Sequence, residues 1–311
     1  QRDGTGHIIA GTDGQPQMTP GDVSPRWVGS GWTIFNNKGK PVCQYEPFFT
    51  DTHRFEFDVR IGVSPVLFYD PVERVVATLH PNHTWEKVVF DAWRQETWDV
   101  NDTVLIFDPQ ADADVGDFFS RLDPAEYLPT WFTLRTAPAY AAAFMARYPH
   151  PTDRMNETRA AQKAQIHAAT PTVTYADTLG RAFLTVAQNQ YQYSDAPPAA
   201  PPVEEFQATR ILLDIEGNPR EVIDPMNRTI MRYDYDMLGN RIHQASMEAG
   251  GRWTLMDVAG KPLYAWDSRG HRFRSACDSL RRPTEAFLRE GLGAEMTIGR
   301  TVYGESFPNP E

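Results

Sequence analysis

A short unit recurs along this chain: an aromatic or apolar residue, Asp, two variable residues, Gly, and then a polar or basic residue. It is complete in Tyr235-Asp236-Met237-Leu238-Gly239-Asn240, Met256-Asp257-Val258-Ala259-Gly260-Lys261 and Trp266-Asp267-Ser268-Arg269-Gly270-His271. Weaker copies begin at Leu213-Asp214 (with Gly217), Ile223-Asp224 and Cys277-Asp278. The aspartates at 214, 224, 236, 257, 267 and 278 are spaced by 10, 12, 21, 10 and 11 residues, one register of about eleven skipped once. Earlier in the chain Asp70 and Asp91 keep the same register, Asp177-Thr178-Leu179-Gly180-Arg181 lacks only its first position, and Asn36 to Lys40 replaces Asp by Asn.

Each residue type in the unit has a physical reason. Asp accepts from backbone N–H groups two residues on, and Gly three residues after it supplies the positive φ that closes a tight hairpin or G1-bulge loop. The flanks, such as residues 232–235, 253–256 and 262–266, are aromatic and β-favouring. The expected structural turn residues are therefore Asp177, Gly180, Asp214, Gly217, Asp236, Gly239, Asp257, Gly260, Asp267 and Gly270. Strand, turn and strand repeated at this period predict a mainly β fold: stacked antiparallel hairpins forming a curved sheet or partial β-shell.

One stretch departs from the pattern. Across residues 112–170 glycine falls to Gly116 alone, and Ala, Arg, Gln and Glu dominate 139–147 and 159–169, which predicts a helical insertion. Asp114 and Asp123-Pro124 read as helix starts, and Tyr148-Pro149-His150-Pro151 as a break between helices. Residues 194–205 hold Pro197, Pro198, Pro201 and Pro202 and read as an extended linker. The expected organisation is a mobile N-terminal segment (1–25), Asp-x-x-Gly-like β-repeats (26–111), the helical insertion (112–170), a β-repeat (171–193), the linker (194–205) and further β-repeats (206–311).

Composition narrows the function classes. With 30 Lys+Arg against 41 Asp+Glu the net charge is -11, which opposes attraction to phosphate backbones, so no nucleic-acid partner is expected. No apolar run is long enough to span a membrane, and no signal-peptide pattern is present. Cys43 and Cys277 are 234 positions apart without ligand spacing, so they read as free thiols. Beginning at Gln1, the chain reads as a piece of something longer. No cofactor is expected, because no glycine-rich phosphate loop occurs.

Candidate chemistry is sparse. His80 and His83, in His80-Pro81-Asn82-His83, are the tightest histidine pair, and His53 lies among Asp51, Glu56 and Asp58; these three histidines are the candidate catalytic residues, and His80 and His83 the candidate metal ligands. Pro81 argues instead for a polar turn. The half-motifs at Ser64 and Ser306 are turn chemistry rather than nucleophile elbows. Trp85, Trp93, Trp98, Trp131, Trp253 and Trp266 could form a sugar-stacking face or the packing of the sheets. The chain leans away from an enzyme; if it were one, a hydrolase near His80 and His83 would be expected, and a carbohydrate-binding module on the aromatic face is a further alternative.

The Tyr-Asp units ending in Gly-Asn or Gly-Arg resemble the YD repeats of Rhs proteins. The stretches from Arg26-Trp27 to Phe48-Phe49 and from Phe68-Tyr69-Asp70 to Asn101-Asp102 resemble the B-type subunits of bacterial insecticidal toxin complexes and their SpvB-like relatives. So does the helical stretch leading through Ala169-Thr170-Pro171-Thr172-Val173 into Asp177. The likeness covers about residues 25–305. It implies a structural role in virulence: a β-shell wall that encloses or carries a toxic polypeptide, with other subunits of a toxin complex as partners, in a secreted bacterial assembly. It implies no catalytic residue. An incomplete sheet would also leave strand edges open to self-association.

Overall fold

The computed structural model describes residues 27–304, except 51, 56, 59, 194–196, 198 and 199. The N-terminal segment 1–25 lies outside the described residues, as does part of the proline-rich stretch. The chain is mostly β, with 41% of residues in strands and 16% in helices, and its antiparallel sheet is not closed. It divides into two compact units, one of Gln1–Val173 with Ala187–Phe206, the other of Thr174–Val186 with Gln207–Glu311.

In the first unit β1 (Trp27–Gly29), β2 (Thr33–Phe35), β3 (Pro41–Gln44) and β4 (Phe48–Thr50) are followed by β5 (Val66–Tyr69), β6 (Val75–Leu79), β7 (Trp85–Phe90) and β8 (Arg94–Trp98). β1 pairs with β4, while β2, β3, β5, β6, β7 and β8 follow one another in an antiparallel ladder. The helical insertion contains α1 (Gly116–Phe119), α2 (Trp131–Thr136), α3 (Ala141–Arg147) and α4 (Pro151–Ile166). Thr130 Oγ1 caps α2 by accepting from Thr133 N at 3.2 Å, and Pro151 opens α4 where its missing N–H costs no hydrogen bond.

The core of this unit forms where the insertion meets β5, β6 and β7. Phe68, Leu79 and Trp85 pack with Val115, Phe119 and Tyr127, and Trp85 is only 2% exposed. Each such side chain contributes about 1.5–3 kcal/mol on burial. A second cluster gathers Val104, Phe132, Ala161 and Ala168. Asp114 does not start a helix. Its carboxylate lies 2.6 Å from Lys87 Nζ, and Asp112, 2.7 Å from the same ammonium, accepts instead from the N–H groups of Asp114 and Val115. Burial disfavours the Lys87 charge, but the two carboxylates outweigh it and hold the ammonium above its usual pKa.

The strands β9 (Thr172–Ala176), β10 (Ala182–Tyr191) and β11 (Val203–Leu213) each contribute residues to both units. The second unit continues with β12 (Pro219–Ile223), β13 (Thr229–Tyr235), β14 (Arg241–Ser246), β15 (Gly250–Met256), β16 (Pro262–Asp267), β17 (His271–Cys277), β18 (Pro283–Glu290) and β19 (Met296–Arg300). From β11 to β19 every strand pairs antiparallel with the next. Among the described residues of this unit no apolar side chain is buried; the buried groups are Asp224 and Asp267. Its sheet is a single layer with both faces partly open.

Candidate functional site

The repeat unit builds one turn many times. At Asp236 the backbone N–H donates to Asn240 O (2.9 Å) and the carbonyl accepts from Gly239 N (3.1 Å). Asp236 Oδ1 accepts from Leu238 N and Asn240 N, both at 2.9 Å, and Oδ2 accepts from Asn240 Nδ2 at 3.0 Å. Gly239 has φ 78°, and the ladder shifts register beside Tyr235, as a G1 bulge requires. The polar residue after Gly therefore closes on the second carboxylate oxygen. Arg181, Arg228 and Arg282 do this with Nε 2.7–2.8 Å from Asp177, Asp224 and Asp278. The Arg181 side chain, followed by backbone N–H groups, holds the Asp177 carboxyl down at about 2, and Arg228 and Asn240 lower Asp224 and Asp236 in the same way.

One turn keeps this form with other residues. His80 takes the Asp position, its N–H donating to Thr84 O (2.8 Å) and its carbonyl accepting from His83 N (2.9 Å). His83 takes the Gly position at φ 62°, and Asn82 Oδ1 supplies the acceptor for Thr84 N. Between Asp236 and Asp257, where the register skips, a different turn stands: Ser246 Oγ accepts from Glu248 N and Ala249 N, and the positive φ, 70°, falls four residues on, at Gly250.

The candidate histidines occupy separate settings. His83 Nδ1 lies 2.9 Å from Pro129 O, and Trp131 N donates to His83 O at 3.1 Å, so this residue links the turn to the insertion. His80 Nε2 is 4.0 Å from Glu86. The His53 ring tilts against Trp27 at 5.5 Å, on the edge of a concavity of about 770 Å³ lined by Trp27, Trp32, Phe48 and Phe55; Asp51 and Glu56 lie outside the described residues. Among the described residues no group of three or more His, Cys, Asp or Glu side chains is arranged to hold a metal ion.

The tryptophans also separate. Trp85 is core, Trp98 lies under Lys87 and Trp131 under Arg135, whereas Trp253 and Trp266 stay 45% and 37% exposed. These two belong to a row that repeat counting alone does not reveal. Asp234, His243, Trp253, Trp266 and Arg272 stand directly opposite one another across β13 to β17, so their side chains share one face. His243 stacks on Trp253 at 4.6 Å and donates through Nδ1 to the Asp234 carboxylate at 2.8 Å, while Arg220 closes on Asp234 at 2.8 Å. Farther along the face Tyr264 stacks on Trp266, Arg272 lies over Tyr264, and Arg274 lies 3.9 Å over Phe287. Flat rings and guanidinium groups in this arrangement suit extended, partly apolar ligands. The opposite face of the same strands holds a concavity of about 410 Å³ with Gln244, Arg252, Thr254 and Asp267 on its wall.

No protein-family model matches the chain, and no curated protein matches it. Solved structures do. A Photorhabdus luminescens Tc holotoxin pore aligns with 90% of this chain at 19% identity and TM-score 0.56, over 11% of its own chain. A TcdB2-TccC3 complex aligns with 94% at 19% identity and TM-score 0.56, over 12% of its chain. The same complex without its hypervariable C-terminal region gives 89%, 19% and 0.54, over 11%. The likeness establishes a fold of the Tc-toxin kind, and this chain spans only about a ninth of the first of those chains.

Proposed function

We propose that this chain is a structural segment of an Rhs/YD-repeat toxin-complex subunit of the B type, its sheet forming part of a β-shell wall that encloses or carries a toxic polypeptide in a secreted bacterial assembly. The observation that carries this reading is the second unit's single-layer sheet. Among its described residues no apolar side chain is buried, so its faces gain their cover from something else, and one face presents Trp253, Trp266, Tyr264, Arg272 and Arg274. Extended polypeptide offers such a face both apolar side chains and backbone acceptors for arginine. The fold likeness over nine-tenths of the chain supports the same reading.

The test uses a reduced, alkylated polypeptide that cannot fold. Binding is expected to quench or shift the tryptophan fluorescence and to weaken severalfold in the Trp253→Ala, Trp266→Ala double variant, while the folded form of the same probe does not bind. Equal binding by wild type and variant, or none by wild type, overturns the reading. The stacked Tyr264 and Trp266 rings are the observation favouring a carbohydrate-binding alternative; titration with oligosaccharides in place of the polypeptide separates the two. The hydrolytic alternative at His80 and His83 is removed if ester, glycoside and phosphoester turnover is unchanged by chelator and by His80→Ala.

A further inference from the structure

The turns of the second unit carry side chains that the turn itself does not need. In the turns at Asp177, Asp236, Asp257 and Asp278 the second position after Asp gives only its backbone N–H to the carboxylate, which leaves the side chains of the two positions after Asp free to be polar, as loop tips ordinarily are. Because the strands run as a meander, alternate turns fall at the same end of the sheet. One end collects the turns beginning at Asp177, Asp214, Asp236, Asp257 and Asp278. Their adjacency is direct at both ends of the row: a Cβ on Gly217 would lie 2.9 Å from Arg181, and Arg281 Nη1 lies 2.8 Å from Asp257.

All five of these turns expose a large apolar side chain at the tip: Leu179, Ile215, Met237 with Leu238, Val258 and Leu280. Met237 is 99% exposed, Ile215 97% and Val258 94%, so folding of the unit buries almost nothing of these three side chains. At the other end Met226, Met247 and Leu292 are exposed too, but Met247 is only 48% exposed and the turn at Asp267 carries Ser268-Arg269, so the row is interrupted.

We infer that this row of turn tips is a self-association surface, and that its occupant is the same row on a second copy of the chain. Two features argue for that occupant. Alternate strands are about 9.6 Å apart, so the tips recur at roughly the spacing of two packed sheets, and a copy in reverse orientation can seat each tip between two others along a row of about 40 Å. The six side chains together expose an area comparable to the roughly 800 Å² that each partner contributes to a stable interface, well above an ordinary surface patch. The contact is isologous: each row is both knob and socket.

Sedimentation of the full chain across a wide concentration range tests the inference. The wild type is expected to dimerise, and Met237→Glu, Leu238→Glu, Val258→Glu together to raise the dimer dissociation constant by about a hundredfold. These side chains touch little of their own unit, so the far-UV spectrum should not change; the serine versions of the same variant serve if the glutamates disturb folding. Met226→Glu with Leu292→Glu, at the opposite end, should leave the constant within about twofold. In a background lacking Cys43 and Cys277, Leu238→Cys should form an intermolecular disulfide faster than Leu292→Cys. A wild type that is monomeric throughout, a dimer unaffected by the tip variants, or a dimer lost only on Thr297→Pro in edge strand β19 would each overturn it.

Discussion

At the scale of single residues the chain repeats one electrostatic device. A carboxylate folded back on its own turn satisfies two backbone donors with one oxygen and the closing side chain with the other, and the fourth position takes the left-handed backbone. Glycine is the usual answer there, but His83, Asn227, Glu73 and Arg281 occupy the same region with φ 59–69°. Asn tolerates it best among them, because its short amide can bond locally. At Gly239, where an added Cβ would meet nothing within 4 Å, the cost of substitution is the backbone alone. Gly239→Ala is expected to destabilise the unit by about 1 kcal/mol and Gly239→Asn by less. Urea unfolding of both variants checks this, and equal midpoints for alanine and wild type would refute it. The same comparison marks the limit of reading this sequence by eye. The turn at His80 hides its place in the register because both signature residues are replaced, and all that remains is the step from Asp70 to Asp91. At the skipped copy the signature is lost for another reason: Ser246 closes a turn of different form, with its positive φ at Gly250.

At the scale of elements, the hairpins and the helical insertion were legible because local chemistry dictates both: a turn residue every ten or eleven positions, and a long stretch almost without glycine. What was not legible is how the insertion is held. Asp114, read from sequence as a helix start, is half of a clamp on Lys87, and the clamp forms across 25 and 27 positions of chain. Lys87 and Asp112 are both nearly inaccessible, each side chain about 5% exposed. Removing the ammonium leaves two carboxylates facing each other with one of them buried. Lys87→Met is therefore expected to cost about 3 kcal/mol and to expose residues 112–128 to protease, with Lys87→Arg recovering part of the loss. Unchanged proteolysis of Lys87→Met would mean that Trp85, Phe119 and Tyr127 hold the insertion without the clamp.

At the scale of the whole molecule the two units are stabilised by different physics, and acid should separate them. Among the described residues, the clusters of buried apolar side chains lie in the first unit. In the second unit the turn carboxylates at Asp177, Asp214, Asp224, Asp236, Asp257, Asp267 and Asp278 all have lowered pKa values; for Asp177, Asp224 and Asp236 the side chain that closes the turn is the largest cause. A carboxylate whose pKa is lower folded than unfolded contributes stability that is present above the unfolded value, about 3.9, and is lost as pH falls through the folded value. For Asp177 that folded value is about 2. Asp102 in the first unit has the opposite sign. Burial pushes it up against the hydrogen bonds from Asp99 and Thr170, so its contribution is present below the unfolded value and is lost as pH rises through the folded one. Acidification between about pH 5 and pH 2 thus subtracts from the second unit seven times over, whereas in the first it subtracts at the Asp70 turn, whose carboxyl Arg74 holds low in the same way, and spares Asp102. Hydrogen exchange across that range should show amides of β13 to β17 losing protection while those of β6 and β7 keep theirs. Loss of both together would mean that the turns add nothing to the sheet beyond its ladder, and that the second unit stands or falls with the core of the first.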